Sequence, residues 1–168
     1  MIGNFRVTTG ELIAPTFGPT RTEADFASHI EQTMATDPGA SWVFVTDNLN
    51  IHCSETLVKE VARACQITTG LGKKGVRGVL KSVASRQAFL SEPGHRIRFV
   101  YTPKHSSWLN QIEVVFGVIM RKVVRRGSFK SVKDLRDKLM NFIDYFNRVF
   151  AHPFRWTYTG RPLLKTAR

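Results

Sequence analysis

The chain has 168 residues, of which 42% are hydrophobic, and a formal net charge of +12 at pH 7. This length predicts a single domain with its own hydrophobic core. No apolar run approaches the roughly 18 residues that a membrane span needs, and the N-terminus lacks the basic head and apolar core of a signal peptide. Cys53 and Cys65 form no CxxC pair. This argues against a structural zinc site or a disulfide scaffold and predicts reduced thiols in a cytoplasmic protein.

The positive charge is concentrated in the C-terminal part of the chain. Residues 1–100 contain 11 basic and 9 acidic side chains, whereas residues 101–168 contain 14 basic and 4 acidic ones. A basic half of this kind predicts a protein that binds a polyanion. An anionic membrane is a weaker candidate because the basic segments also contain apolar stripes, and a merely solvated basic surface stays open as an alternative.

The first third of the chain predicts a hairpin, a helix, a strand and a second helix. Residues 4–15 form two short strands around a tight Thr-Gly turn. Thr22 and Asp25 form a variant of the capping box at the start of a helix with one apolar face. Residues 42–46 are apolar without polar alternation, which predicts a strand buried on both faces. A helix over residues 54–64 follows.

The middle of the chain begins with a glycine-rich basic loop at residues 68–78, TTGLGKKGVRG. It does not match the phosphate-loop pattern, because no Ser or Thr follows its two lysines, and it is a weak candidate for a nucleotide site. A helix over residues 79–91 is expected next. The segment HRIRFVYTP is a second strand, which Pro103 ends.

Two further helices complete the predicted domain. A long helix starts at about Ser107, and a last helix is capped by Ser131 and Asp134; the apolar residues of both follow the helical period. The sequence therefore predicts an α/β domain over residues 1–150. Residues 151–168 form a basic, aromatic C-terminal tail broken by two prolines.

Two acidic residues come after the two predicted strands. Asp47 follows the first strand directly, at the position where open α/β sheets bind their ligands; the alternative is a loop aspartate that caps the next helix. Glu113 lies on the helix after the second strand, beside an apolar stripe, where it either reaches water or faces another charge. Two carboxylates directed into one crevice of a basic protein indicate a divalent metal such as Mg²⁺, which prefers oxygen ligands.

Two stretches, VTDNLNIH and PKHSSWLNQIEVVF, resemble the second and third acidic motifs of DDE-superfamily transposases, in particular bacterial insertion-sequence enzymes related to the mariner elements. The Asp-Asn-x-x-x-His pattern corresponds to Asp47, Asn48 and His52. The Ser-x-Leu-Asn-x-x-Glu pattern corresponds to Ser107, Leu109, Asn110 and Glu113. Both motifs occur in the family's order, although the 65 residues between the two acids exceed the usual spacing in mariner relatives. The excess falls in the basic loop and the helix after it.

The resemblance implies an RNase H-like fold, in which helices flank a mixed sheet and three carboxylates hold two Mg²⁺ or Mn²⁺ ions that cut DNA and join its ends. Asp47 and Glu113 would be catalytic metal ligands, supported by Asn48, His52 and Asn110. Family members carry a first Asp on a central first strand, and nothing before Asp47 in this sequence resembles that strand. We therefore expect an N-terminally truncated catalytic domain that is inactive alone.

The partner that the resemblance implies is double-stranded DNA, both transposon ends and target. Six residues are candidates for DNA contact: Lys104, His105, Arg121, Lys122, Arg125 and Arg126. Solvation of a helix end is the alternative for the last four, and a backbone-bonded helix start is the alternative for His52. We also expect a homo-oligomer or a complementing N-terminal transposase fragment, no membrane contact, and a bacterial cytoplasmic protein that associates with the nucleoid. The alternative function is a non-catalytic DNA-binding remnant, or a fragment that complements a second polypeptide.

Overall fold

The computed structural model describes residues 1–103, 110–153 and 155. Its strands and helices, in chain order, are β1 (Ile2–Arg6), β2 (Glu11–Thr16), α1 (Glu23–Ala35), β3 (Trp42–Thr46), α2 (Glu55–Ala64), α3 (Val83–Leu90), β4 (Ile97–Tyr101), α4 (Ile112–Ile119) and α5 (Val132–Val149). Short 3₁₀ turns occur at Asn50–Cys53 and Val79–Lys81, and a π-turn at Met120–Val124 continues α4. Within the described ranges, no helix is long and apolar enough to cross a membrane.

The predicted hairpin is confirmed. Strands β1 and β2 pair antiparallel, with Ile2 opposite Thr16 and Arg6 opposite Glu11. The Gly10 N–H donates to the Arg6 carbonyl at 2.7 Å and closes the turn. Gly10 has φ +78°, and a Cβ there would lie 2.0 Å from the His152 carbonyl oxygen. The turn therefore requires glycine at this position.

The second sheet is parallel and only partly buried. Strands β3 and β4 pair in register from Trp42–Ile97 to Thr46–Tyr101, and Phe44 stacks on Phe99 with ring centroids 5.2 Å apart. These rings face α1, α2 and α3. Val43 and Val45 point to the other side and are 50% exposed. The expectation that β3 is buried on both faces is therefore wrong, because the described helices cover only one face of this sheet.

Helix starts agree with the predicted caps. Thr22 and Asp25 form a complete capping box at α1, and the Ser131 side chain accepts from the Asp134 N–H at α5. Ser54 caps α2 in the same way. The helix predicted over residues 79–91 is shorter, because Ser82 caps a new helix inside it and leaves a separate 3₁₀ turn before α3.

Helix α4 begins later than predicted. It starts at Ile112, although the sequence predicts a start at about Ser107; residues 104–109 lie outside the described residues. The Glu113 N–H bonds the Asn110 carbonyl at 3.0 Å and the Val114 N–H bonds the Gln111 carbonyl at 3.2 Å. These three-residue bonds make a tight entry turn, which places Glu113 in the first turn of α4 rather than near the second.

The described residues form two hydrophobic cores. The first lies between the β3–β4 sheet and helices α1, α2 and α3, and the second lies between the β1–β2 hairpin and helices α4 and α5. The α/β class is confirmed. However, β1–β2 and β3–β4 are separate two-stranded sheets rather than one mixed sheet. Among the described residues, no strand pairs with the second edge of β1 or of β3.

Candidate functional site

A cleft of about 980 Å³ separates β1 from β3 and extends to the start of α4. The guanidinium of Arg6, at the end of β1, lies 5.8 Å from the ring of Trp42, at the start of β3. Gly3, near the start of β1, lies beside the Phe116 ring of α4, and α4 follows the carboxyl end of β4. Both Asp47 and Glu113 line this cleft.

Asp47 immediately follows β3, and its turn holds the carboxylate in place. Its Oδ1 accepts from the Leu49 N–H at 3.1 Å and lies 2.7 Å from His52 Nδ1. Ser54, not Asp47, caps the next helix. Within the described part of the chain, nothing hydrogen-bonds the other carboxylate oxygen of Asp47. One oxygen thus orders the loop, and the second is available to a ligand.

His52 is held by contacts with Asp47, Phe26 and Tyr101. Its ring centroid lies 4.3 Å from that of Phe26, and its carbonyl accepts from the Tyr101 hydroxyl at 2.9 Å. Burial raises the pKa of Tyr101 well above its ordinary value, so this phenol remains a hydrogen-bond donor at neutral pH. Strand β4 therefore positions His52, and His52 in turn orients the Asp47 carboxylate.

Asn48 joins the ends of β3 and β4. Its side-chain amide donates to the Thr102 carbonyl, and the Thr102 N–H donates to the Thr46 carbonyl at 2.8 Å. Gln87 of α3 donates to the Asn48 side-chain oxygen at 3.3 Å. Gln87 was not predicted from the sequence, because it lies 39 positions from Asn48 and no local pattern links the two.

Glu113 and Asn110 line the cleft at the start of α4. Glu113 is exposed, and its side chain has no hydrogen bond or ion pair with any other described residue. Asn110 contributes its backbone carbonyl to the entry turn and also lines the cleft. The hydrogen bond of this carbonyl goes to the Glu113 backbone and not to its carboxylate, so support of the carboxylate by Asn110 stays a prediction.

The donor set fits a hard divalent cation, but it is small. In residues 1–103 and 110–153, no group of three or more His, Cys, Asp or Glu could hold a metal. The free oxygen of Asp47 and the unpaired carboxylate of Glu113 are the oxygen donors that Mg²⁺ and Mn²⁺ accept, with water filling the other positions. Asp47 and Glu113 stay predicted metal ligands, two of the three carboxylates that the resemblance implies.

Four of the six predicted DNA contacts are described. Arg121, Lys122, Arg125 and Arg126 are all exposed, and none forms an ion pair with another described residue. The π-turn carries the first two, and the other two follow it. Lys104 and His105 lie outside the described residues. So do Ser107 and Leu109 of the Ser-x-Leu-Asn-x-x-Glu pattern and most of the predicted tail.

Comparison with known proteins identifies the family. A family model described as a DDE superfamily endonuclease matches residues 1–136. The chain belongs to this family. The match includes both Asp47 and Glu113, and an endonuclease domain of this superfamily implies DNA as the substrate of this DDE domain. No curated protein and no solved structure matches the chain.

Proposed function

We propose that this DDE domain is the catalytic part of a transposase, encoded by a bacterial insertion sequence related to the mariner elements, that cleaves DNA and transfers its strands by two-metal phosphoryl transfer. The observation that carries the proposal is that Asp47 and Glu113 line one cleft while each keeps a carboxylate oxygen without a partner among the described residues. Membership of the DDE superfamily endonucleases supports DNA as the substrate.

In this proposal, Asp47 and Glu113 hold Mg²⁺ or Mn²⁺, with two ions in the complete site. Bound metal supplies charge stabilisation at the attacking and leaving oxygens of a phosphodiester. The residues of the chain position the Asp47 carboxylate for this role. The Leu49 N–H and His52 fix the Asp47 carboxylate, and Asn48 holds the ends of β3 and β4 together. Such supporting contacts commonly affect metal affinity almost as strongly as the ligands do.

The basic residues after α4 bind the DNA backbone in this proposal. Arg121, Lys122, Arg125 and Arg126 present four exposed charges without acidic partners among the described residues. Because phosphate contacts fix the position of a duplex without reading its sequence, we propose that these residues, together with Lys104 and His105, hold the DNA with little sequence preference.

The cleft favours a second candidate, in which the chain works together with another polypeptide. The cleft lies between β1 and β3, and among the described residues no further strand pairs with either of them on that side. Phe26 of the first core lines the cleft, as do Ile112 and Phe116 beside the second core. An extended segment between the two edges would pair with both and join the two sheets. We propose that a complementing transposase fragment supplies such a strand together with the third carboxylate, and that the chain without it binds DNA but does not cut it.

A nicking assay tests both candidates. The chain is purified alone and also after co-expression with the polypeptide encoded immediately upstream, and each sample is incubated with labelled duplex DNA and Mn²⁺. We expect no strand transfer by the chain alone and metal-dependent nicking by the pair. Asp47→Asn and Glu113→Gln should each abolish that nicking, whereas Glu92→Gln, which changes an exposed acid outside the cleft, should not.

Two results would contradict the proposal. Nicking that survives in Asp47→Asn or Glu113→Gln would mean that the ligands are assigned wrongly. Strand transfer by the purified chain alone, at the rate of the co-expressed pair, would rule out the need for a complementing fragment while leaving the nuclease assignment intact.

A further inference from the structure

The glycine-rich loop after α2 is an ordered hairpin. We call residues Gly72–Gly78 the basic hairpin. The Lys73 N–H donates to the Arg77 carbonyl at 3.0 Å, and the Arg77 N–H donates back to the Lys73 carbonyl at 3.1 Å. The Leu80 N–H bonds the Leu71 carbonyl at 3.1 Å just below them. Leu80 is buried in the first core, and Leu71 packs against it, so the hairpin stands on a fixed base.

Two glycines close the neck of the basic hairpin. Gly72 has φ +89° and Gly78 has φ +70°. A Cβ at Gly72 would lie 2.1 Å from the Arg77 carbonyl oxygen, and one at Gly78 would lie 2.7 Å from the Leu71 oxygen. Only glycine permits both the backbone angles and this close approach. The two glycines thus allow the neck to close, and the charged residues Lys73, Lys74 and Arg77 are exposed.

The basic hairpin and the segments around it carry only positive charges. Residues 61–91 contain six basic side chains and no acidic one: Arg63, Lys73, Lys74, Arg77, Lys81 and Arg86. The side chains of Lys73, Lys74, Arg77 and Lys81 are all exposed. Among the described residues, the only ion pair of these four is a long one, 4.0 Å between Lys74 Nζ and Glu23. The net charge of the N-terminal half conceals this local excess, because its acids lie elsewhere.

The basic hairpin is anchored to the loop that carries Asp47. Arg86 is buried behind it, where it donates to the Cys53 carbonyl at 2.7 Å and to the Leu80 carbonyl at 3.3 Å. Cys53 ends the 3₁₀ turn that follows Asp47. The next residue, Gln87, bonds Asn48. The hairpin base and the carboxylate loop are thus held together by direct hydrogen bonds.

We propose that the basic hairpin is a second DNA-backbone contact, separate from the basic residues after α4, which holds duplex DNA beside the Asp47 loop. This inference rests on the proposed function, because it assumes that DNA is brought to the carboxylates. Lysine ammonium groups act as point charges toward phosphate and release counterions when they bind it. An anionic membrane is disfavoured because the hairpin exposes a single apolar side chain, Val76, and interfacial binding needs a broader apolar face.

The test compares two variants that lose the same charge. In the hairpin variant, Lys73, Lys74 and Arg77 are each replaced by Gln. In the control variant, Gln replaces Lys59, Arg63 and Lys133, which already pair with acids on their own helices. Binding to a labelled duplex is measured by anisotropy across a KCl series in EDTA. We expect the slope of log K against log salt to flatten by up to ~2.7 in the hairpin variant and to stay at the wild-type value in the control.

Other outcomes overturn the inference. Equal flattening in both variants would mean that DNA binding depends only on the net charge of the protein. An unchanged slope in the hairpin variant would mean that the loop does not touch DNA. Loss of binding to vesicles of anionic phospholipid, with DNA binding intact, would assign the loop to membranes. If the triple variant melts below the wild type, Arg77→Gln alone should still flatten the slope by about 0.9.

The binding slope and the nicking result together separate the DNA contact of the basic hairpin from the catalytic assignment. EDTA removes metal, so the binding assay does not depend on the carboxylates. A flattened slope in the hairpin variant, combined with nicking that persists in Asp47→Asn, would keep the DNA contact and reject the catalytic assignment. A normal slope, combined with nicking that Asp47→Asn abolishes, would do the reverse.

Discussion

The Nδ1 atom of His52 lies 2.7 Å from Oδ1 of Asp47, while the His52 ring packs against Phe26 of α1. The carboxylate is therefore held by a side chain that is itself held by the first core. One contact connects the packing of α1 to the orientation of a proposed metal ligand. This arrangement makes His52 a positioning residue, with effects that should be measurable without catalysis.

His52→Ala should weaken Mn²⁺ binding by about tenfold, because loss of a residue that orients a metal ligand commonly costs 10- to 100-fold in affinity. The measurement is a titration of free Mn²⁺ by electron paramagnetic resonance. His95→Ala, which changes a histidine outside the cleft, should leave the affinity at the wild-type value. Equal or tighter Mn²⁺ binding by His52→Ala would mean that His52 does not position Asp47.

Arg125 and Arg126 should each neutralise a DNA phosphate. Replacing both by Gln should flatten the slope of log K against log salt by up to ~2 units. Lys133 and Lys138 are the matched control, since each already pairs with an aspartate one turn away, and their double Gln variant should keep the slope. An unchanged slope in the Arg125 and Arg126 variant would mean that these arginines only solvate a helix end and do not contact DNA.

His29 should make the stability depend on pH. Its side chain is 1% exposed, and burial lowers its pKa from the ordinary 6.5 to about 4. The unfolded chain therefore binds this proton more readily than the folded one. The contribution is complete above about pH 6.5 and is lost as the pH falls toward 4, up to about 3 kcal/mol.

Urea unfolding at pH 7 and pH 5 measures this effect. Between these two values the wild type should lose about 2 kcal/mol more than His29→Gln, because only the wild type gains a proton at this position on unfolding. The comparison of pH dependence removes the packing cost of the substitution. Parallel losses in the two proteins would mean that His29 titrates normally in the folded state.

The first core should be sensitive to truncation. Leu57 of α2 is fully buried, so Leu57→Ala should lower the free energy of unfolding by about 2–5 kcal/mol. Val132 is 85% exposed at the start of α5, and Val132→Ala should change it by less than about 0.5 kcal/mol. Thermal or urea unfolding provides the values. A small effect at Leu57 would mean that this core is loosely packed.

Local signals in the sequence predicted local structure well. Thr22 with Asp25 and Ser131 with Asp134 lie three residues apart, so the chain itself contains both halves of each cap. The exposed face of β3 was not predictable, since a run of apolar residues indicates a strand but not what covers it. The Gln87–Asn48 contact was equally hidden, because a fold, not a spacing, brings these residues together.

For the candidate site, the sequence likewise indicated the local features but not the contacts that depend on the fold. Asp47 was singled out because it follows a strand, and Glu113 because it lies on the helix after the next strand. Both line the cleft, and their role as metal ligands stays a prediction. The entry turn of α4 shifted Glu113 by about one turn, since tight three-residue hydrogen bonds at Asn110 leave no pattern that distinguishes them from a helix. The sequence predicted a loop and not the ordered hairpin at residues 72–78, because the shape of the hairpin depends on two glycines that meet across the loop.

Among the described residues, no strand pairs with the second edge of β1 or of β3, and we expect these edges to make the isolated chain self-associate. Buried backbone groups without partners each cost roughly 1–3 kcal/mol, and an apolar strand edge is a template for pairing with another chain. We expect oligomers or aggregates in sedimentation velocity at micromolar concentration, or cooperative melting only after an additional strand is supplied. Val45→Lys places a charge on β3 beside the cleft and should reduce the average mass, whereas Val132→Lys on α5 should not. A stable monomer that melts cooperatively on its own would mean that β1 and β3 need no further strand between them.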